Sequence, residues 1–135
     1  LAEDSQDRPP PAVLVVDDDV NLLDLIRQIL ELHGLACDTA EDGLAAFNKI
    51  QKRHYKLIVS DIRMPNMNGT ELLKAVRNYQ KSKTPKSRVV LMTAYSTAEI
   101  MEQADRLGVD DFLTKPFDIV DFVKRLRDIL GECAS

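Results

Sequence analysis

Short apolar runs and amphipathic stretches alternate along this chain five times over, and that alternation constrains its fold more than any other feature. Ala12 to Val16 is apolar and ends in Asp17-Asp18-Asp19; Val20, Leu23, Ile26 and Leu30 then recur at helical spacing until His33-Gly34. Leu35, Cys37 and Thr39 alternate with polar residues, and Asp42 to Arg53 is a second helical stretch. Leu57-Ile58-Val59 runs into Ser60-Asp61, a Pro65/Gly69 loop follows, and a helix is expected from about Thr70 to Tyr79. Val89 to Met92 leads to Thr93, a helix to Thr97–Leu107 stopped by Gly108, and Phe112-Leu113-Thr114 to Lys115-Pro116. Asp118 caps a last helix expected to stop near Leu130 at Gly131.

Strand–helix units in strict succession predict an α/β fold with a parallel sheet and right-handed crossovers. Strands covered on both faces read as continuous apolar runs. The first, third and fourth strands do so, the second alternates and the fifth is brief, which is compatible with the order 2-1-3-4-5. In such a sheet, ligands sit beyond the carboxyl ends of the strands. There the chain places Asp17 and Asp18, Asp61, Thr93 and Lys115. Clustered carboxylates repel unless a cation intervenes. A hard divalent ion such as Mg²⁺ accepts one or two carboxylates, keeps waters and leaves room for a phosphoryl oxygen. Lys115 adds a point charge, Thr93 a hydroxyl, and an ionised Asp is a competent nucleophile toward phosphorus.

Composition excludes other classes. Lys and Arg number 18 against 22 Asp and Glu, a formal charge of −4, so no basic excess supports a dedicated nucleic-acid module. No apolar run approaches a membrane span. Cys37 and Cys133 make neither a disulfide scaffold nor a zinc site and fit a reducing, cytoplasmic compartment. The chain starts at Leu1 rather than Met, so a fragment, a processed chain or a tag remnant is expected. Residues 1–11, with Pro9-Pro10-Pro11, read as a linker or tail, 12–131 as the domain and 132–135 as its end. Read singly, several residues have plain roles: His33 as a helix-dipole partner, Cys37 as a small apolar residue, Met64, Met67 and Met92 as packing, and Lys81 to Lys86 as a solvated connector.

Val13-Leu14-Val15-Val16-Asp17-Asp18, Asp61-Ile62-Arg63-Met64-Pro65 with Asn68-Gly69, Met92-Thr93-Ala94 and Lys115-Pro116-Phe117 occur in this order. Through them, the stretch from Ala12 to Leu130 resembles the receiver domain of two-component response regulators. The resemblance implies a (βα)5 doubly wound, flavodoxin-like fold and a phosphorelay function. It implies that Asp61 is the phosphoacceptor, that Asp18 binds Mg²⁺ directly, that Asp17 assists through water and that the Arg63 backbone carbonyl supplies a ligand. Lys115 would pair with the phosphoryl group, with a cis peptide before Pro116. Thr93 would swing toward it and draw Phe112 inward, changing the face of the fourth helix, fifth strand and fifth helix. The phosphodonor would be a histidine kinase or histidine phosphotransfer protein, and the protein would catalyse only its own phosphorylation and dephosphorylation. An output domain or protein would lie outside these 135 residues. A DNA-binding regulator, a hybrid histidine kinase and a stand-alone receiver all remain open as its source, and homodimers through the switching face are among the expected assemblies.

Three finer expectations follow from residue size. Ala94 keeps access to Asp61 open, whereas Arg63 and Tyr95, two residues beyond Asp61 and Thr93, overhang the phosphoryl group and slow its hydrolysis. Two other classes compete. A haloacid-dehalogenase-type phosphatase would use Asp17 and Asp19, but Asn21 stands where Thr or Val is expected and there is no cap-sized insertion. A flavin binder would need a phosphate cradle after the first strand, which is acidic instead.

Overall fold

The computed structural model describes residues 11–94 and 97–134. The five parallel strands are β1 (Val13–Val16), β2 (Cys37–Ala40), β3 (Leu57–Asp61), β4 (Arg88–Thr93) and β5 (Asp111–Thr114), in the order β2-β1-β3-β4-β5. The intervening helices are α1 (Val20–Leu32), α2 (Gly43–Lys52), α3 (Gly69–Tyr79), α4 (Ala98–Arg106) and α5 (Ile119–Ala134). The expected order is therefore the observed one, and the three apolar strands are the central ones.

Alternation along each central strand divides the core into two layers. Val13 and Val15 face Leu23, Ile26 and Leu30 of α1 and Phe122, Val123 and Leu126 of α5. Leu14 and Val16 face Ala46 and Ile50 of α2, Leu72, Leu73 and Val76 of α3, and Ala104 of α4. Each such aliphatic side chain contributes roughly 1.5–3 kcal/mol on burial, so the sheet is held from both sides. Cys37 is one of these core residues, and burial pushes its thiol up to about 12.

Helix ends follow their local chemistry. Asp19, Asp42, Asn68 and Thr97 accept hydrogen bonds from backbone N–H groups in the first turns of α1 to α4. Asn68 and Glu71 complete a capping box. His33 does sit at the end of α1, with its ring Nδ1 2.9 Å from the Ile29 carbonyl. The expected stop at Gly131 fails, because α5 runs on to Ala134. A glycine ends a helix by adopting the left-handed region, and Gly131 does not enter it. Inside a helix it costs only about 1 kcal/mol relative to alanine.

Tyr55, 1 % exposed, donates to Asp38 at 2.6 Å, and burial together with that partner raises its phenol well above the ordinary value of 10. Tyr55 and Cys37 are both acids that ionise later in the folded chain than in the unfolded one. Between the two values the native state holds more protons, so stability falls as pH rises. Denaturant melts at pH 8, 9, 10 and 11 are expected to show a steepening loss approaching roughly 1.4 kcal/mol per pH unit per group. Tyr55→Phe should shed the part above pH 10, and an unchanged profile in that variant would contradict this account.

Candidate functional site

The strand register builds the site. Val16 of β1 pairs with Ser60 of β3, so the next residues, Asp17 and Asp61, emerge side by side at the carboxyl edge. On the other flank Thr93 of β4 pairs with Thr114 of β5, which puts Lys115 one step beyond. The Lys115 N–H donates to the Thr93 carbonyl at 2.8 Å, and the Lys115–Pro116 peptide is cis. The Lys115 ammonium then reaches across the edge, donating to Asp17 Oδ2 at 2.6 Å and to Asp61 Oδ2 at 3.3 Å.

The run of three acidic residues after β1 divides by task. Asp17 is 1 % exposed, and its Oδ1 accepts the Asp19 N–H at 2.9 Å. Asp18 is exposed beside it. Asp19 caps α1 through the Leu22 N–H at 3.1 Å, which leaves its carboxylate occupied at the helix start rather than in the cluster. Asp17, Asp18 and Asp61 each bring a carboxylate oxygen within 4.8 Å of the others. Three hard anionic oxygens form a donor set suited to a hard divalent cation and unsuited to a soft one, with the Lys115 ammonium as a second positive charge beside them. Burial, and then the Asp17 charge, raise the Asp61 carboxyl above its usual range, against the opposing pull of Lys115. Burial works against the charge on Lys115, but its bonds to Asp17 and Asp61 prevail and raise it.

The loop after β3 brings α3 hard against Asp61. The Gly69 N–H donates to the Ile62 carbonyl at 2.8 Å, and a Cβ at position 69 would lie 2.4 Å from the Asp61 carbonyl oxygen. Only glycine fits there. Asn66, at φ 68°, turns this loop and donates to Asp42, whose carboxyl the Ala45 N–H and then Asn66 hold low. Gly69→Ala is expected to destabilise the domain by about 2–3 kcal/mol through overpacking at backbone that cannot move aside. Urea unfolding reads this directly, and a loss under about 1 kcal/mol would mean the loop is softer than its contacts imply.

The remaining expected residues fall around this centre. Thr93 is buried at the end of β4 and Phe112 is half-buried in β5, packed on the α2–α3–α4 side. Arg63 is exposed two residues beyond Asp61. Ala94 is exposed and borders an apolar groove of about 480 Å³ shared with Leu22, Leu25, Lys115, Phe117 and Ile119. Tyr95 lies outside the described residues.

Several ion pairs escaped the sequence reading, two of them around the start of β5. Arg77 of α3 donates to the Gly108 and Ser87 carbonyls and to Asp110, which in turn accepts the Val89 N–H at 2.6 Å. This clips the end of α4 and the start of β5 to the sheet. Asp111 of β5 pairs with Arg125 of α5 on the outer face between them. The only available signal was the Asp110-Asp111 doublet before Phe112, for which the motifs offer no role.

Comparison with known proteins agrees with this geometry. The family model described as response regulator receiver domain matches residues 13–127. The chain is 39 % identical over 128 residues to a transcriptional regulatory protein CpxR homolog of Haemophilus influenzae, covering 91 % of this chain and 52 % of that protein. It is 37 % identical over 111 residues to the DNA-binding transcriptional regulator NtrC of Escherichia coli, covering 82 % of this chain and 23 % of that protein. A CheY-like response regulator receiver domain protein from Methanospirillum hungatei superposes with a TM-score of 0.83 at 29 % identity, covering 90 % of this chain and 94 % of that one. The chain thus spans about half or less of these two curated relatives.

Proposed function

The chain belongs to the response regulator receiver domain family, and from that premise we propose that it is a switch in which Asp61 accepts a phosphoryl group from a phosphohistidine. The observation that carries this reading is the bridging of Asp17 and Asp61 by Lys115 at the edge of the sheet.

Asp61 is the nucleophile. One of its carboxylate oxygens forms a bond to phosphorus, the phosphorus–nitrogen bond breaks, and the imidazole departs with that electron pair. Burial and the Asp17 charge make the carboxylate more basic than a solvated one. Lys115 neutralises a phosphoryl oxygen by moving its ammonium a short way from Asp17, and Thr93 donates its hydroxyl to another. Asp18, Asp61 and the Arg63 carbonyl would hold Mg²⁺, with Asp17 assisting through water. The ion supplies charge neutralisation for the incoming phosphoryl oxygens. The movement of Thr93 vacates space for Phe112 and alters the face formed by α4, β5 and α5.

The donor is a histidine kinase or phosphotransfer protein, for which the opening beside Ala94 provides access. The output is a domain or protein outside this segment; a hybrid-kinase origin also fits. No helix among the described residues is long and apolar enough to cross a membrane. The haloacid-dehalogenase reading is not favoured, because Asp19 caps α1.

Incubation with acetyl phosphate and Mg²⁺ should give one acid-stable, base-labile phosphoryl adduct in the wild type and none in Asp61→Asn. An adduct that persists in the variant would refute the assignment. Arg63→Ala and Tyr95→Ala should each lose the adduct about threefold faster, a barrier change of roughly 0.7 kcal/mol. Equal decay rates in all three proteins would remove the shielding role.

A further inference from the structure

The acidic site has a counterpart of opposite sign at the other edge of the sheet. Residues 49–56 carry Lys49, Lys52, Arg53 and Lys56 with no Asp or Glu. Residues 81–88 carry Lys81, Lys83, Lys86 and Arg88, again with none. These segments lead into β3 and β4, which pair Leu57 with Arg88, and the Arg88 N–H donates to the Lys56 carbonyl at 2.9 Å. Topology therefore merges two basic runs into one face, in a chain whose formal charge is −4.

Part of this charge has internal work. Lys49 donates to the Thr39 carbonyl, Lys86 to the Gln80 carbonyl, and Arg53 pairs with Asp38. Lysines near the ends of α2 and α3 also answer the helix dipoles. Two of these residues, Lys52 and Arg53, also line a concavity between the segments, where Lys83 joins them. A cavity of about 530 Å³ is lined by Lys52, Arg53, His54 and Lys83, with no carboxylate residue in its wall. Its floor includes Ile50, Tyr79 and Pro85. The Lys83 ammonium stands 4.8 Å from the Tyr79 ring centroid, so this charge and this ring lie together in the lining.

We propose that this cavity, remote from the phosphoacceptor, binds a nucleoside polyphosphate, with its phosphates on Lys52, Arg53 and Lys83 and its base on the apolar floor. A volume of this size lies in the range of small-molecule sites. Lys52 and Lys83 line this concavity beside Arg53, whose partner Asp38 lies outside the lining, and a wall of cations with no carboxylate in it favours a multiply charged anion. Tyr79 and Pro85 offer apolar area that inorganic phosphate alone would leave unused. The binding holds whether or not Asp61 is the phosphoacceptor, since the two sites share no residue.

The test is titration of the intact chain with ATP and with pyrophosphate in EDTA, followed by amide chemical shifts and calorimetry. The expected result is saturable ATP binding that shifts residues 50–54 and 79–85, weakens with added salt and exceeds pyrophosphate affinity. The variant Lys52→Gln/Lys83→Gln should weaken it at least about tenfold, while its ligand-free melting temperature falls only by the few degrees that a lost helix-dipole and ring contact imply. Absent saturation, shifts confined to the Asp61 edge, pyrophosphate binding as tightly as ATP, or undiminished affinity in the double variant would each overturn the proposal. A steeply salt-dependent interaction with duplex DNA but not with ATP would likewise overturn it, reassigning the face to nucleic acid.

Discussion

Lys115→Ala is expected to lower the stability of the metal-free protein by about 3 kcal/mol, and to make that stability depend on Mg²⁺ far more than in the wild type. The reasoning starts from Asp17, which is 1 % exposed and has the Lys115 ammonium 2.6 Å from its Oδ2. Removing the ammonium leaves a buried carboxylate facing Asp61 and Asp18 with no cation between them. Breaking a buried pair from one side costs about 3–5 kcal/mol. Because the Lys115 side chain is itself 21 % exposed, water enters the space it leaves, and the lower end of that range applies. A loss of this size is a large share of the roughly 5–15 kcal/mol that holds a domain together. In EDTA the melting temperature should therefore fall by about 10 °C. Millimolar Mg²⁺ should restore much of the difference, since a divalent ion answers the same carboxylates. Lys115→Arg keeps a charge and should lose much less, which separates charge from packing. Phosphorylation by acetyl phosphate should slow about a hundredfold in Lys115→Ala, the usual effect of deleting one donor to a developing anion. A Lys115→Ala protein as stable in EDTA as the wild type would show that Asp17 does not depend on this lysine.

How much of this was readable from the chain depends on the range of the interaction concerned. The fold was, because burial on both faces writes itself into consecutive residues: Val13 to Val16 and Leu57 to Val59 carry no polar position for solvent to claim. The gathering of Asp17, Asp61 and Lys115 was, because each lies at or just beyond the carboxyl end of a strand, and a parallel sheet collects such positions at one edge. What lay hidden were choices among chemically equal residues. The three aspartates after β1 look alike in sequence, yet Asp17 turns inward, Asp18 stays exposed and Asp19 caps a helix. Only the register of β1 with β3 and the start of α1 distinguish them. Arg77 was unreadable for a related reason. Its partners Gly108 and Asp110 lie 31 and 33 residues away, and the α4–β5 connection alone brings them near. The end of α5 shows the limit of local signals, since Gly131 permits a stop without compelling one.

Asp61→Asn should invert its effect on stability when Mg²⁺ is added. In EDTA, burial and the Asp17 charge hold the Asp61 carboxyl above the range of an unfolded chain. The native state then binds that proton more tightly than the unfolded state does. By linkage, stability declines as pH rises from the unfolded value through the folded one, and the penalty stays constant above it. An asparagine side chain carries no charge and avoids the penalty. The variant should therefore match the wild type at the acid end of this window and exceed it at pH 7, by on the order of 1 kcal/mol. Asp42, whose carboxyl is shifted the other way by the Ala45 N–H and Asn66, contributes stability that is lost as pH falls. It does so equally in both proteins, so the difference between them isolates Asp61. With Mg²⁺ at about a hundred times its dissociation constant, a ligand that binds only the native state adds about 2.7 kcal/mol. The wild type should gain that increment and the Asp61→Asn variant little of it, because one of the three carboxylates is gone. The order of melting temperatures thus reverses between EDTA and Mg²⁺ at pH 7. Equal stabilisation of both proteins by Mg²⁺ would place the ion elsewhere, and a variant less stable than wild type in EDTA would mean that Lys115 outweighs Asp17 at Asp61.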